Sequence, residues 1–550
     1  MAALNLAGLR TGHLPVGAPT LAAALHAVVA RQPGAPAIWY GGRSLDYAQL
    51  EGLSMRVAGA LFELGVRAGD RLAIWMPNAP AWLVCHFALA RLGAVTVAVN
   101  PRFRSVELGD VLRRSGARGL LYWPGYRGID FQDILRQVAP EVPDLEWLIE
   151  YGEDEPADEP MDEPAAAAPA GLPAPIPWAQ LDQAAPRSAI DAEGSTPCLL
   201  YTTSGTTNRP KLVMHVQGGI SDFARKAAAA MGYDRPGACS LQMVPLCGTY
   251  GMIQAKAALF AGAPMVLHHR FDPVLAGELI RRHGVTLAGI TDEMMHRLYD
   301  AQGEPRPFPG LCLFTGSRAG EVVEKSLQRD FRVVAVYGSS EVQALFCRRP
   351  DSDEPRQRAV GGGFPACPQA RVRARSLESG AILPHGETGE LEISAPSVML
   401  GYYGDPETTN RAFTADGWYR TGDVGYTSAD GSFTFVTRRD DAMRLSGFLV
   451  NPGEIEAHVR NHPAVDLCHV VGVEHRGRTR PVAFCTLRPG QDTEEGALLR
   501  HCAEGLARYK VPARFVLLPA LPFVDSANTP KVNRVELRRL AQQAVLESDQ

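Results

Sequence analysis

The chain has 550 residues, of which 46% are hydrophobic and 21% charged, with a formal net charge of −5. Two or three domains with a large core are expected at that length and composition, and the mild acidity gives no reason to expect nucleic acid or an anionic membrane as partner. Ten cysteines lie scattered without a Cys-x-x-Cys pair, so neither a zinc site nor a disulfide framework is indicated and reduced thiols are expected. No run of 18 apolar residues occurs, and the start of the chain lacks a basic segment followed by an apolar core, so no membrane span and a cytoplasmic location are expected.

In chain order, residues 20–30 place Leu21, Leu25, Val28 and Val29 at helical spacing. Gly41-Gly42 between two short apolar runs predicts a hairpin with a two-residue turn. Residues 47–64 read as an amphipathic helix, 71–76 as a strand, 78–92 as a helix and 94–99 as a strand, an alternation that predicts a parallel sheet with covered faces. Seven acidic residues between Glu153 and Glu163, then an Ala/Pro tract, make 152–176 a solvated loop with almost no apolar anchor. Strands return at 241–244, 264–268, 285–290, 310–315 and 331–336, with helices between them ending at His283 and spanning 293–299. From 359 to 436 short alternating, Gly-rich strands predict a smaller barrel-like unit, and beyond it helices at 454–460 and 493–508 surround strands at 467–473 and 480–487. The fold class is α/β: a large N-terminal domain over 1–439, of layered α/β subdomains plus the barrel-like β subdomain, and a small α+β C-terminal domain over 440–550.

Five stretches carry chemistry. Tyr201-Thr202-Thr203-Ser204-Gly205-Thr206-Thr207-Asn208-Arg209-Pro210-Lys211-Leu212-Val213 has hydroxyls at five of the six positions 202–207, little apolar surface, and two cations after them. It predicts an exposed loop able to wrap an anion, although by composition it is equally a polar turn. No Gly-Lys-Ser/Thr ends it, so it is not a Walker loop. Tyr337-Gly338-Ser339-Ser340-Glu341 follows an apolar strand, which places a turn with hydroxyls and a carboxylate at a sheet's carboxyl edge, where Glu341 can hold Mg²⁺. Trp418-Tyr419-Arg420-Thr421-Gly422-Asp423 puts a carboxylate just after Gly, suited to two vicinal hydroxyls. Arg438-Arg439-Asp440-Asp441, with Ser446-Gly447-Phe448 after it, reads as a charged boundary and a Gly turn. Lys531 stands between turn residues near the C-terminus in Thr529-Pro530-Lys531-Val532-Asn533-Arg534.

Together, and in this order, the five stretches resemble the motifs of the adenylate-forming superfamily of acyl- and aryl-CoA synthetases, peptide-synthetase adenylation domains and luciferases. Asn208 and Leu212 stand where the family's phosphate loop has glycine, Thr437 precedes Arg438 in place of glycine, and Pro530 replaces the glycine before Lys531. The resemblance, closest to acyl- and aryl-CoA synthetases, extends to scaffold phrases from Ala37 onward. It implies Thr203, Ser204, Gly205, Thr206, Thr207 and Lys211 around the phosphates of ATP, and Ser317 and Arg318 in the adenine loop. It further implies Tyr337, Gly338, Ser339 and Ser340 around adenine and the α-phosphate, Glu341 on Mg²⁺, and Asp423 and Arg438 on the ribose. Gly447 is implied on the route of the coenzyme A thiol, and Asp440 as the hinge of a mobile C-terminal domain. Lys531, Thr206 and Glu341 are the implied catalytic residues, and Gly248, Tyr250, Gly251 and Gly316 line the implied acyl pocket. Polar groups there, such as Arg318 and Asp292, suit a polar or dicarboxylic acid, or face solvent or nucleotide.

The activity implied is a two-step ligation in fatty or aromatic acid metabolism: a small carboxylic acid and Mg·ATP give an acyl-adenylate and pyrophosphate, then coenzyme A displaces AMP. A stand-alone ligase that loads a carrier protein, and a non-catalytic binding protein that keeps the fold, are the alternatives. A homodimer is compatible with either.

Overall fold

The apolar runs become inner strands of two large sheets in a computed structural model. It describes residues 17–124, 126, 129–152, 171–203, 210–301, 308–315, 323, 326–327, 331–439, 441, 443–445, 448–475, 478–506, 508–524 and 531–547. The architecture is mixed α/β, and contacts divide the chain into two units: Met1–Val372 with Ile393–Tyr419, and Arg373–Glu392 with Arg420–Gln550.

In the first unit, Pro197–Thr203, Val95–Ala98, Arg71–Trp75, Gly119–Tyr122, Trp147–Glu150 and Pro175–Pro177 lie side by side in parallel. Lys211–Val216 and Gly401–Tyr402 extend that sheet antiparallel. The strand Pro175–Pro177 begins inside the segment 152–176, expected from sequence to be a loop. It is the sheet's last strand, and an edge tolerates prolines because a missing outward N–H leaves no ladder bond unmade. The second sheet sets Arg332–Ser339, Cys312–Thr315, Leu287–Gly289, Ser240–Gln242, Met265–Leu267 and Pro36–Tyr40 in parallel, with Arg43–Asp46 closing the hairpin predicted at Gly41-Gly42.

Two of the helices near the start of the described chain enter with side-chain caps. Thr20 accepts from Ala23 N at 3.1 Å, and Asp46 and Gln49 form a reciprocal capping box at 2.7 and 2.9 Å. All ten cysteines are free and buried. Among the described residues no helix is long and apolar enough to cross a membrane.

In the second unit, Val465–His475 pairs antiparallel with Arg478–Leu487, which pairs in parallel with Arg514–Leu517. Because strand side chains alternate, Val470, Ala483 and Cys485 pack on one face with Ile455, Val459 and Leu498 of the helices Pro452–Arg460 and Glu495–Gly505. Val471, Val482 and Phe484 pack on the other with Leu537, Ala541 and Val545 of the helix Arg534–Glu547, which the sequence reading left out. Residues 420–439, read from sequence as N-terminal, cluster with this unit. Asn451 Nδ2 donates to Val436 O at 2.9 Å and Thr421 Oγ1 to Leu391 O at 2.7 Å, which ties these strands to the segments on either side of them.

One core residue contradicts its surroundings. Lys256, on the helix Thr249–Ala261, is fully buried, and its Nζ has no hydrogen-bond partner among the described residues. Burial lowers its pKa to about 7. The same group titrates near 10.4 in an unfolded chain. Between those values the unfolded chain binds the extra proton, so the destabilisation is complete below about pH 7 and is relieved as pH rises above it. Lys256→Met is therefore expected to stabilise the protein at pH 7 by about 1–4 kcal/mol. Urea unfolding of both proteins from pH 6.5 to 9.5 checks this: the gap between them should narrow as pH rises, and the difference cancels the buried thiols and phenols common to both.

Candidate active site

Pro197–Thr203 and Lys211–Val216 are antiparallel neighbours whose last pair is Thr203 with Lys211. The ends of the stretch 201–213, expected to be an exposed loop, are strand: Tyr201 and Thr202 are buried strand residues, and Thr202 Oγ1 donates to Ala98 O at 3.0 Å. Ser204, Gly205, Thr206 and Thr207 lie outside the described residues. Lys211 opens the second strand with its Nζ 4.6 Å from the centroid of the Tyr402 ring. Tyr402 is opposite Val213 on the neighbouring strand Gly401–Tyr402.

The strand expected to end at Val336 continues through Tyr337, Gly338 and Ser339 and turns back as Gln343–Arg348. The turn residues are thus the tip of a hairpin. A Cβ on Gly338 would lie 2.3 Å from Gln343 O and 2.5 Å from Ala344 Cα, so the approach of the two strands admits only glycine there. At the tip, Glu341 N donates to Ser339 Oγ at 3.2 Å, and Met399 N donates to Glu341 O at 2.7 Å. The Glu341 carboxylate accepts from Tyr402 O–H at 3.0 Å. Tyr402 therefore touches both Lys211 and Glu341, a junction that no local sequence pattern marks. Among the described residues no lysine or arginine forms an ion pair with Glu341.

Ser340 is fixed on two sides. Its Oγ accepts from Thr249 Oγ1 at 2.9 Å, and its carbonyl lies 2.7 Å from His215 Nε2. His215 is buried, and burial lowers its pKa to about 4, so the ring is neutral at ordinary pH. Gly248 caps and Tyr250 and Gly251 belong to the first turn of the helix Thr249–Ala261. Tyr250 O–H donates to Phe314 O at 2.6 Å, tying that helix to the strand Cys312–Thr315. Gly316, Ser317 and Arg318 follow that strand outside the described residues.

In the second unit, Asp423 and Arg438 face each other across the strands Tyr419–Thr427 and Phe433–Arg438, with Arg438 Nη1 donating to Asp423 Oδ1 at 2.7 Å. The carboxylate side is 5% exposed and the arginine 53%. Gly422 holds φ at 69°, a left-handed value that lets Asp423 N turn back to Thr421 Oγ1 at 2.9 Å. Asp440 and Gly447 lie outside the described residues. The backbone of Lys531 pairs with Val524 in the strand pair Phe523–Val524 and Lys531–Val532; its side chain is outside the description. Three residues on, Arg534 pairs with Asp441 at 3.5 Å and with buried Glu456 at 3.7 Å, and Arg538 pairs with Asp441 at 3.2 Å. The lysine segment is thereby anchored to the residue that follows Asp440, a connection that sequence spacing could not give.

The AMP-binding enzyme family matches residues 25–403, and the AMP-binding enzyme C-terminal domain matches residues 454–527. The chain is 30% identical to the 2-succinylbenzoate–CoA ligase of Geobacillus kaustophilus (strain HTA426), over 91% of this chain and 94% of that one. It is 27% identical to the salicyl-AMP ligase / salicyl-S-ArCP synthetase of Mycobacterium tuberculosis (strain ATCC 25618 / H37Rv), over 92% and 86%. In fold it is similar to ATP-bound MatB from Rhodopseudomonas palustris, with a TM-score of 0.81 at 22% identity over 95% and 99% of the two chains. With both units matched in order, the chain belongs to the AMP-binding enzymes of the adenylate-forming superfamily.

Proposed function

We propose that the protein is an ATP-dependent carboxylic acid–coenzyme A ligase acting through an acyl-adenylate. The observation that carries this reading is the Tyr402 junction, which holds a carboxylate and an ammonium group on one side chain. A phosphate chain with its metal needs that pair: a cation for phosphate oxygens and a single carboxylate for magnesium, which otherwise prefers phosphate oxygens and water. Glu341, without a cationic partner among the described residues, fits Mg²⁺. When bound, the ion spreads the charge of the triphosphate. The 2-succinylbenzoate–CoA ligase relative supports coenzyme A as the acceptor.

In this reading Lys211 and the hydroxyls of 203–207 hold the phosphates, Tyr337 packs on adenine, and Ser340 Oγ lies by the α-phosphate. Asp423 accepts from the ribose hydroxyls while Arg438 contacts the ribose. A substrate carboxylate oxygen attacks the α-phosphorus and the bond to the bridging oxygen breaks, releasing pyrophosphate. Lys531 offsets the repulsion between the two anions as they approach. A thiolate then attacks the acyl carbon and AMP departs. The salicyl-AMP ligase relative favours a second reading, in which the acceptor is a carrier protein's thiol. Ten free thiols suit a reducing compartment, and we place the protein in the cytoplasm.

ATP–pyrophosphate exchange with a panel of carboxylic acids, followed by thioester formation with and without coenzyme A, tests the reading; exchange with no acid rejects it, and exchange without coenzyme A transfer selects the carrier alternative. Lys531→Ala is expected to lower exchange by about 10²–10³-fold yet still convert supplied acyl-adenylate to thioester. Equal loss in both half-reactions would remove Lys531 from the first step. Since Lys531 and the thiol need the same face of the adenylate, its segment has to move between steps, and Asp440 is the pivot we assign. Proline fixes φ, so Asp440→Pro should leave exchange near normal and slow thioester formation by at least about tenfold; normal rates in both half-reactions would place the pivot elsewhere.

A further inference from the structure

We propose that His215 is a positioning residue for adenylation, holding the Ser340–Glu341 turn so that Glu341 stands where the metal of Mg·ATP would be received. The proposal rests on the ligase reading above for the role of that turn, and on the following geometry for the role of His215.

A histidine in the strand Lys211–Val216 occupies a place where the neighbouring side chains Leu212, Val213 and Met214 are apolar and buried. Burying a ring with two polar nitrogens is unfavourable unless both are bonded, and here both find partners. Ser340 O, 2.7 Å from Nε2, can only accept, so Nε2 carries the proton. In the neutral ring Nδ1 is then an acceptor, and the Gln343 side-chain amide nitrogen lies 3.2 Å from it. The same nitrogen lies 3.3 Å from Nε2, but a donor facing a donor makes no bond, so the tautomer selects the contact with Nδ1. The result is a one-way relay, from Gln343 N–H to Nδ1 and from Nε2–H to the carbonyl of Ser340.

The relay spans the turn it serves, because Ser340 and Gln343 flank Glu341. The peptide between Ser340 and Glu341 is gripped at both ends, its carbonyl by His215 and its N–H by Ser339 Oγ. Orienting that peptide sets the direction in which Glu341 leaves the backbone, while Tyr402 fixes the carboxylate end. Gln343 takes part at φ 76°, the one described non-glycine residue in the left-handed region, and strain of that kind persists only where surrounding contacts impose it. The strand that carries His215 starts at Lys211, so the ring also couples the far side of the phosphate loop to the turn.

Calorimetric titration with Mg·ATP and with metal-free ATP in chelator, alongside thermal melting, tests the proposal. His215→Phe should weaken Mg·ATP by about tenfold and metal-free ATP by less than about twofold, since the displaced group serves the metal. His215→Gln, which retains an N–H near the Nε2 position, should recover most of the loss. Gln343→Gly removes the donor to Nδ1 and suits the positive φ, so it should fold at least as well as wild type and still bind Mg·ATP several-fold less tightly. Should His215→Phe not fold, Gln343→Gly carries the test, and wild-type affinity in it overturns the relay. Equal weakening of both forms of ATP, or no recovery in His215→Gln, also overturns the proposal. Tight Mg·ATP binding by wild type without exchange for any acid would remove the ligase reading and leave the His215 titrations decisive. Absence of Mg·ATP binding by wild type would remove both.

Discussion

The hairpin that carries Ser340 and Glu341 depends on how closely two strands approach at Gly338. With Gln343 O only 2.3 Å from the place a Cβ would take, Arg332–Ser339 and Gln343–Arg348 meet at a separation that no side chain can share. That contact brings the two strands together next to the hairpin's tip. The tip residues have little freedom left: Ser340 is bonded through both its hydroxyl and its carbonyl, and Glu341 through its N–H, its carbonyl and its carboxylate. In the ligase reading such rigidity favours ion binding, because a hydrated ion would find its carboxylate ligand already in place.

The second unit solves a different problem by pairing its own functional groups. Asp423 is nearly buried, and a buried carboxylate needs partners. Arg438 supplies one from directly across the strand pair, and Thr421 and Gly422 shape the strand backbone that presents it. In the ligase reading, a ribose contact made by this pair would exchange hydrogen bonds for hydrogen bonds. The Asp441, Glu456, Arg534 and Arg538 cluster plays the same part for the lysine segment: charges spaced widely in sequence converge to hold one short strand and the helix after it.

The sequence was most informative where function needs a contiguous backbone. The turn glycines and the strand–helix alternation are local signals, and the parallel sheets follow from them. The ends of strands were misplaced wherever polar residues continue a strand. Tyr201-Thr202 and Tyr337-Gly338-Ser339 look like loop by composition, yet their backbone bonds are made to neighbouring strands, which composition does not register. The prolines of Pro175–Pro177 misled in the same direction, since a proline argues against an inner strand but not against an edge. Leu537, Leu540, Ala541 and Val545 carry a helical period that was legible and went unassigned. Tyr402 and His215 could not have been found from one sequence, because each acts through residues more than a hundred positions away or on another strand.

Lys256 and His215 show what separates a tolerated buried polar group from one with a task. Each is enclosed in the first unit's core, and burial pushes each toward its neutral form. Lys256 Nζ meets no acceptor among the described residues, so its cost is not offset locally and its replacement by an apolar chain removes an uncompensated group. His215 has a donor for one nitrogen and an acceptor for the other, and both belong to the hairpin that presents Glu341. Burial alone therefore says nothing about function. Direction does: a polar side chain whose bonds end on the backbone of a ligand-bearing turn transmits its own fixed position to that turn, and an isolated ammonium in the core transmits none.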